Sequence, residues 1–226
     1  MKGLISDEYR AKITALTKKR PWGGAVVGKV PEIHRIMIYS DSKSLLDYGS
    51  GKSDYLNQMN SYNMDLPYTI HEYEPAREEK AGDPPVVDFT LCFDVLEHVE
   101  PEKVDMTLHH IASKTRKFAY ISICLVPAHS SFPDGTNLHL SVHPAEWWLK
   151  RLEPHWDIIR NTVKYGDCFI ETILDLNNPN SGIQRIKILN PNFILRVENS
   201  YGYLKNFLQE IPTKDSSFGG LGGGDT

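Results

Sequence analysis

Two continuous apolar runs most constrain what this chain can become. Residues 86–93 read Val-Val-Asp-Phe-Thr-Leu-Cys-Phe, and residues 118–124 read Phe-Ala-Tyr-Ile-Ser-Ile-Cys. A strand that alternates apolar and polar residues has one wet face. A strand apolar throughout must be covered on both faces, which is the situation of a parallel sheet between two helical layers. Shorter runs at 44–48 and 68–72 read as strands of the same kind. Between them lie stretches with helical spacing: 6–19 with Tyr9, Ile13 and Leu16 on one side, a helix after Pro31, a short one from Ser53, and one from Pro101 to about Thr115. Alternating strands and helices predict an α/β fold with a mostly parallel sheet and helices on both faces.

Further along, 144–152 reads as a helix. Residues 156–165 and 168–174 read as two strands joined by Gly166-Asp167, an antiparallel hairpin closing the sheet. Residues 183–189 and 193–197 are further strand candidates, and 201–211 a last helix. The expected organisation is an N-terminal helical cap at 1–40, a core at 41–176, an extension at 177–212 packed on the core, and a Gly-rich tail at 213–226.

Composition narrows the function classes. The chain has 226 residues, 40% of them hydrophobic and 24% charged, which suits one soluble domain. The first residues lack the apolar core of a signal peptide, and no apolar run is long enough to span a bilayer. Cytoplasmic residence without a membrane is therefore the expectation. The three cysteines, Cys92, Cys124 and Cys168, sit in apolar runs without zinc-ligand spacing and read as buried thiols. A net charge of −4 disfavours duplex nucleic acid, whose phosphates call for a basic face. The one basic cluster, Lys12, Lys18, Lys19 and Arg20, reads as the solvated side of a helix.

In an open parallel sheet, ligands bind beyond the carboxyl ends of the strands. The first strand ends Asp47-Tyr48-Gly49-Ser50-Gly51, whose glycines permit a sharp turn and close approach of backbone to a ligand. The dinucleotide fingerprint G-x-G-x-x-G would need glycine at 54, where Asp54 stands. Asp47 and Asp54 also set negative charge where a pyrophosphate would lie, so a nicotinamide oxidoreductase is disfavoured. The second strand ends in Glu72, a carboxylate placed to accept both hydroxyls of a ribose. The third runs into Asp94-Val95-Leu96-Glu97-His98-Val99.

Asp47-Tyr48-Gly49-Ser50-Gly51 resembles motif I of the class I S-adenosylmethionine-dependent methyltransferases. Asp94 to Val99 resembles the D-V-L-E-H-[VI] segment of the same superfamily. Trp22-Gly23-Gly24, Tyr73-Glu74-Pro75-Ala76 and the stretch Phe132 to Leu140, followed by Trp147-Trp148, are similar to a bacterial and phage subgroup of these enzymes. The resemblance implies a Rossmann-like fold and S-adenosyl-L-methionine as cofactor. Asp47, Gly49 and Gly51 would border its methionine part, with Tyr48 and Ser50 of the same turn also cofactor-binding, Glu72 would hold its ribose, and Asp94, Val95 and Leu96 would line the pocket. One departure stands out: only 73–86, broken by Pro75, Pro84 and Pro85, separates Glu72 from the next strand, so the usual strand and helix there are reduced. No adenine-contacting acid is assigned, and Tyr73 is the candidate to pack on the base. Glu97 and His98 match the motif, with His98 read as fixing the loop.

The loop 128–143 should overhang the transferred methyl group. It concentrates His129, Asp134, Asn137, His139 and His143. His139 is the first choice as general base, Asp134 as its orienting or substrate-binding partner, and His143 as second choice. Asp134, His139 and His143 match a facial-triad ligand set by residue type. Their spacing is not diagnostic, and no metal is assigned. The expected reaction is methyl transfer to an oxygen or nitrogen of a small molecule or glycan. Protein or single-stranded nucleic acid acceptors, or a silent cofactor-binding protein, are the alternatives. The acceptor and the oligomeric state are not specified.

Overall fold

The computed structural model describes residues 3–19, 26, 29–61, 66–164 and 169–176. The expected segments at 22–24 and 177–226, with their further strands, helix and tail, lie outside the described residues, as does Cys168. Helix α1 spans Asp7–Lys19 and α2 spans Val30–Tyr39; β1, Ser44–Tyr48, leads into α3, Asp54–Ser61. Then come β2 (Thr69–Tyr73), β3 (Val87–Phe93), α4 (Val104–Lys114), β4 (Thr115–Cys124), α5 (Ala145–Leu152), β5 (Trp156–Lys164) and β6 (Phe169–Leu176).

The six strands form one sheet in the order β2-β1-β3-β4-β6-β5. The pairs β1–β2, β1–β3 and β3–β4 are parallel, and β4–β6 and β5–β6 are antiparallel. Between β2 and β3 the chain makes only a 3-10 turn, Glu78–Lys80, so the reduction expected from its prolines is present. This is a Rossmann-like α/β fold with an antiparallel C-terminal hairpin.

The alternation of side chains along each strand sorts the core into two layers. Leu45, Phe89, Leu91 and Tyr120 pack under α2 and α3 with Ile33, Ile36, Met37, Tyr55 and Met59. Leu46, Cys92, Ala119, Ile121 and Ile123 pack under α4 and α5 with Leu108, Ile111, Trp148 and Leu152. Helix α2 is thus a covering helix of the sheet. Helix α1 belongs to neither layer: its Ile13 forms a third cluster with Phe132 and Leu138, against which Tyr9 and Leu16 pack. Among the described residues, no helix is long and apolar enough to cross a membrane.

Candidate functional site

At the carboxyl ends of β1, β2 and β3 lies a cavity of about 550 Å³, within the usual size of a small-molecule site. Its wall includes Asp47, Tyr48, Gly49, Ser50, Gly51, Asp94 and Val95, so the turns after β1 and β3 meet there. Gly49 and Gly51 have φ of 79° and 47°, in the left-handed region. A Cβ on Gly49 would stand 2.3 Å from a Val95 methyl, so the close approach of the two turns needs the missing side chain. The N–H groups of Gly49 and Ser50 both donate to the Tyr73 carbonyl, at 2.8 and 3.1 Å, which ties the turn to the end of β2. Asp94 adopts φ 53°, an uncommon conformation for a residue with a side chain. It is held by its N–H to the Ser122 carbonyl (3.0 Å) and by the Ser122 hydroxyl donating to Oδ1 (2.8 Å).

The carboxylate at the β2 edge of the cavity is Glu74, whereas Glu72 is absent from the wall. Glu72 pairs in register with Asp47 and takes an ion pair from Lys80 at 3.2 Å. That lysine also donates to the hydroxyls of Ser50 and Ser53 (3.2 and 2.6 Å) and to the Gly51 carbonyl (3.4 Å). Glu72 therefore supports the clamp on the glycine turn. Strand β2 continues one residue beyond the expected end, and the next residue on the Glu72 side is Glu74, which reaches over the sheet edge. Its Oε2 accepts from the Gly51 N–H at 3.3 Å and its Oε1 from the Ala76 N–H at 3.0 Å. A carboxylate has about four acceptor positions, so two remain for a ligand.

Two other expected wall residues are in the core. Tyr73 is buried with its ring 4.9 Å from that of Tyr48 and 5.6 Å from His110. Leu96 is fully buried in the layer under α4 and α5. Tyr48 donates or accepts through its hydroxyl at His110 Nδ1, 2.9 Å away, and burial lifts its pKa well above the usual tyrosine value.

The loop after β4 divides its candidates. His139 and His129 line the cavity; Asp134 and His143 do not. Asp134 pairs with Lys12 of α1 at 2.8 Å and accepts from the Thr136 N–H, which together hold its carboxyl well below the usual range. His143 stacks on Trp147, centroids 3.7 Å apart, and burial and then the nearby Arg151 charge lower its pKa. Trp147 carries Arg151 on its ring and leaves the cavity wall to others, while Trp148 is fully buried.

His139 is fixed by its own surroundings. Asn137 accepts from its N–H at 2.9 Å, and its Nδ1 donates to the Val126 carbonyl at 2.6 Å. That bond leaves the lone pair on Nε2 in the neutral imidazole. The ring meets that of His98 edge-on, centroids 4.7 Å apart. His98 does fix the loop, its Nδ1 donating to the Leu138 carbonyl at 2.9 Å, and burial pushes its pKa down to about 4, with His139 adding to the depression. Glu97, fully buried, accepts the Cys124 N–H on Oε1 at 3.1 Å. Burial first, and then the Asp94 charge, raise its carboxyl well above the usual range. The fold thus gathers Glu97, His98 and His139, and disperses the Asp134, His139 and His143 set.

Another side of the wall comes from Ile5 and from Tyr9, Ile13 and Leu16 of α1. Arg10 and Thr14 donate to the Pro75 and Ala76 carbonyls, and the Ser6 N–H donates to Glu100.

No protein-family model matches the chain, and neither does any curated protein. Among solved structures it is similar to one from work on the conversion of a disulfide bond into a thioacetal group during echinomycin biosynthesis. That match has a TM-score of 0.52 at 9% identity and covers 80% of this chain and 98% of that one. It is also similar to a 1,6-didemethyltoxoflavin-N1-methyltransferase from Burkholderia thailandensis with bound S-adenosylhomocysteine, with a TM-score of 0.47, 11% identity and coverage of 76% and 90%. A third likeness is to an O-methyltransferase family protein from the same organism, with a TM-score of 0.49, 12% identity and 77% of this chain covered; the chain spans 60% of that protein's length. At 9% identity the first likeness is one of fold alone, and what the chain holds in common with that structure is the Rossmann-like α/β sheet.

Proposed function

We propose that the chain is an S-adenosylmethionine-dependent methyltransferase acting on an oxygen or nitrogen of a small molecule or glycan. One observation carries the reading. A side-chain-free turn at Gly49, a carboxylate with acceptor capacity left at Glu74, and the Asp94-Val95 turn converge on one cavity of about 550 Å³. The residues fit the cofactor. Glu74 would accept the two ribose hydroxyls. The Gly49–Gly51 backbone would border the methionine portion, whose ammonium suits the carboxylate-rich end formed by Asp47 and Asp94.

When bound, S-adenosylmethionine supplies a methyl group already activated on a sulfonium. The chain's own task is then alignment, exclusion of water and, where the acceptor needs it, removal of a proton. Apolar side chains of α1 close the cavity against solvent. His139, its Nδ1 engaged by Val126, presents Nε2 as the basic nitrogen and is the group to take the acceptor proton.

Calorimetric titration with S-adenosylhomocysteine and with NAD tests this. The chain is expected to bind the first and ignore the second. Glu74→Gln is expected to weaken binding by about 2 kcal/mol, the scale of hydrogen bonds to a charged acceptor, or roughly 30-fold. Glu72→Gln should weaken it less. NAD binding without S-adenosylhomocysteine binding, or a larger loss at Glu72 than at Glu74, overturns the reading.

A further inference from the structure

We propose that Glu97, His98 and His139 form a site for a first-row divalent cation on the cavity wall, and that this ion holds an oxygen of the methyl acceptor. The second half rests on the methyltransferase reading and takes the place of the base role of His139, whose single Nε2 lone pair cannot hold an ion and accept a proton at once; the first half rests on neither. Three observations support the site. One potential ligand atom from each residue lies within 4.8 Å of the others. Each imidazole has its Nδ1 committed to a backbone carbonyl, Leu138 for His98 and Val126 for His139. This outer bond selects the tautomer with the Nε2 lone pair and orients the ring, the support that metal-binding histidines commonly have. Third, Glu97 Oε2 is buried without a hydrogen-bond partner among the described residues, although Oε1 takes the Cys124 N–H.

A buried carboxylate oxygen without a partner is costly, and binding either a proton or an ion relieves it. Two imidazoles and one carboxylate are a ligand set for first-row divalent metals that leaves coordination positions open. Ligand atoms about 2.1 Å from an ion stand roughly 3.0–3.4 Å apart, so closure from a spacing within 4.8 Å needs at most about 1.8 Å. His139 lies on the loop that can supply it. Both histidines line the cavity, so an open position would face the acceptor.

The test uses the full, tag-free chain stripped of metal. Mn2+, Zn2+ and Co2+ are titrated by calorimetry, with the Co2+ absorption bands recorded in parallel. One saturable site per chain is expected. His139→Ala and Glu97→Gln should each weaken it at least about tenfold, as losses around metal sites do. His129→Ala, in the same cavity and outside the cluster, should leave it unchanged. S-adenosylhomocysteine affinity near wild type in His139→Ala shows that this variant is folded, so a buried-residue failure at Glu97 cannot mimic the result. Absence of saturation up to about 1 mM ion, or equal affinity in His139→Ala, overturns the metal site. Loss of S-adenosylhomocysteine binding in the wild-type chain overturns the methyltransferase reading instead. Acetohydroxamate, a simple oxygen ligand, added to the Co2+ and S-adenosylhomocysteine complex should shift the Co2+ bands. Unchanged bands refute the acceptor-holding role.

Discussion

Gly49 is the residue on which the cavity turns. Its φ of 79° costs an L side chain energy, and the Val95 methyls stand where a Cβ would go, the nearer at 2.3 Å. Both Val95 methyls are at the branch point of a β-branched side chain, which cannot swing away freely. Gly49→Ala is therefore expected to push the Asp94-Val95 turn outward and to lower S-adenosylhomocysteine affinity by at least about tenfold. It should also destabilise the fold by about 1–3 kcal/mol, the usual cost of strain at a special φ. Calorimetry and denaturant melts measure both. Unchanged affinity would show that the two turns do not act together. Glu74 teaches the complementary lesson: its position one residue past β2 lets it bond the Gly51 N–H and still face the cavity. Two carboxylates on one face of a strand were visible in Tyr68 to Ala76. Choosing between them required knowing where the strand stopped.

At the scale of elements, the opposite end of the sheet is stitched by Asp88. Its Oδ2 accepts the Lys43 N–H at 2.7 Å, its Oδ1 accepts from Arg116 at 2.9 Å, and its N–H donates to Ser44 Oγ at 3.0 Å. The entries of β1, β3 and β4 are thus held together by one side chain. Burial by itself lifts this carboxyl, but the Lys43 N–H, Arg116 and Lys117 outweigh it, so its pKa lies below the usual value. Because the folded pKa is depressed, the stabilisation is present above the unfolded pKa, about 4, and is lost as pH falls through the folded value. Asp88→Asn is expected to cost about 1–2 kcal/mol at neutral pH, with Arg116 half-exposed and screened. The difference from wild type should shrink below about pH 4. Denaturant midpoints across pH 3–7 check the sign, and a difference that grows on acidification contradicts it.

For the whole molecule, the telling fact is that α1 packs outside both layers of the core. It bridges the loop after β2, through Pro75 and Ala76, and the loop after β4, through Phe132 and the Lys12–Asp134 pair. Such an element can be removed without opening the sheet. Deleting residues 1–19 is expected to leave a folded chain by circular dichroism, with S-adenosylhomocysteine affinity reduced at least about tenfold through loss of apolar wall. Normal affinity in the truncated chain would make α1 a packing helix only.

By itself the sequence determined the layers. Apolar strands such as 86–93 and 118–124 call for burial between two helical layers, and that requirement is local to each segment. The glycine turn and the Asp94 segment were legible for the same reason, since the backbone they need is written in their own residues. What joins across the chain was decided by tertiary structure alone. Whether Glu72 or Glu74 meets the cavity depends on where β2 stops relative to β1. The company of His139 depends on the loop after β4 folding back onto the turn after β3, where Leu138 meets His98. Asp134 goes to Lys12, more than a hundred residues earlier. Contacts between distant segments leave no periodic trace in either segment, because each side chain's partner is fixed by three-dimensional closure and not by its neighbours in sequence.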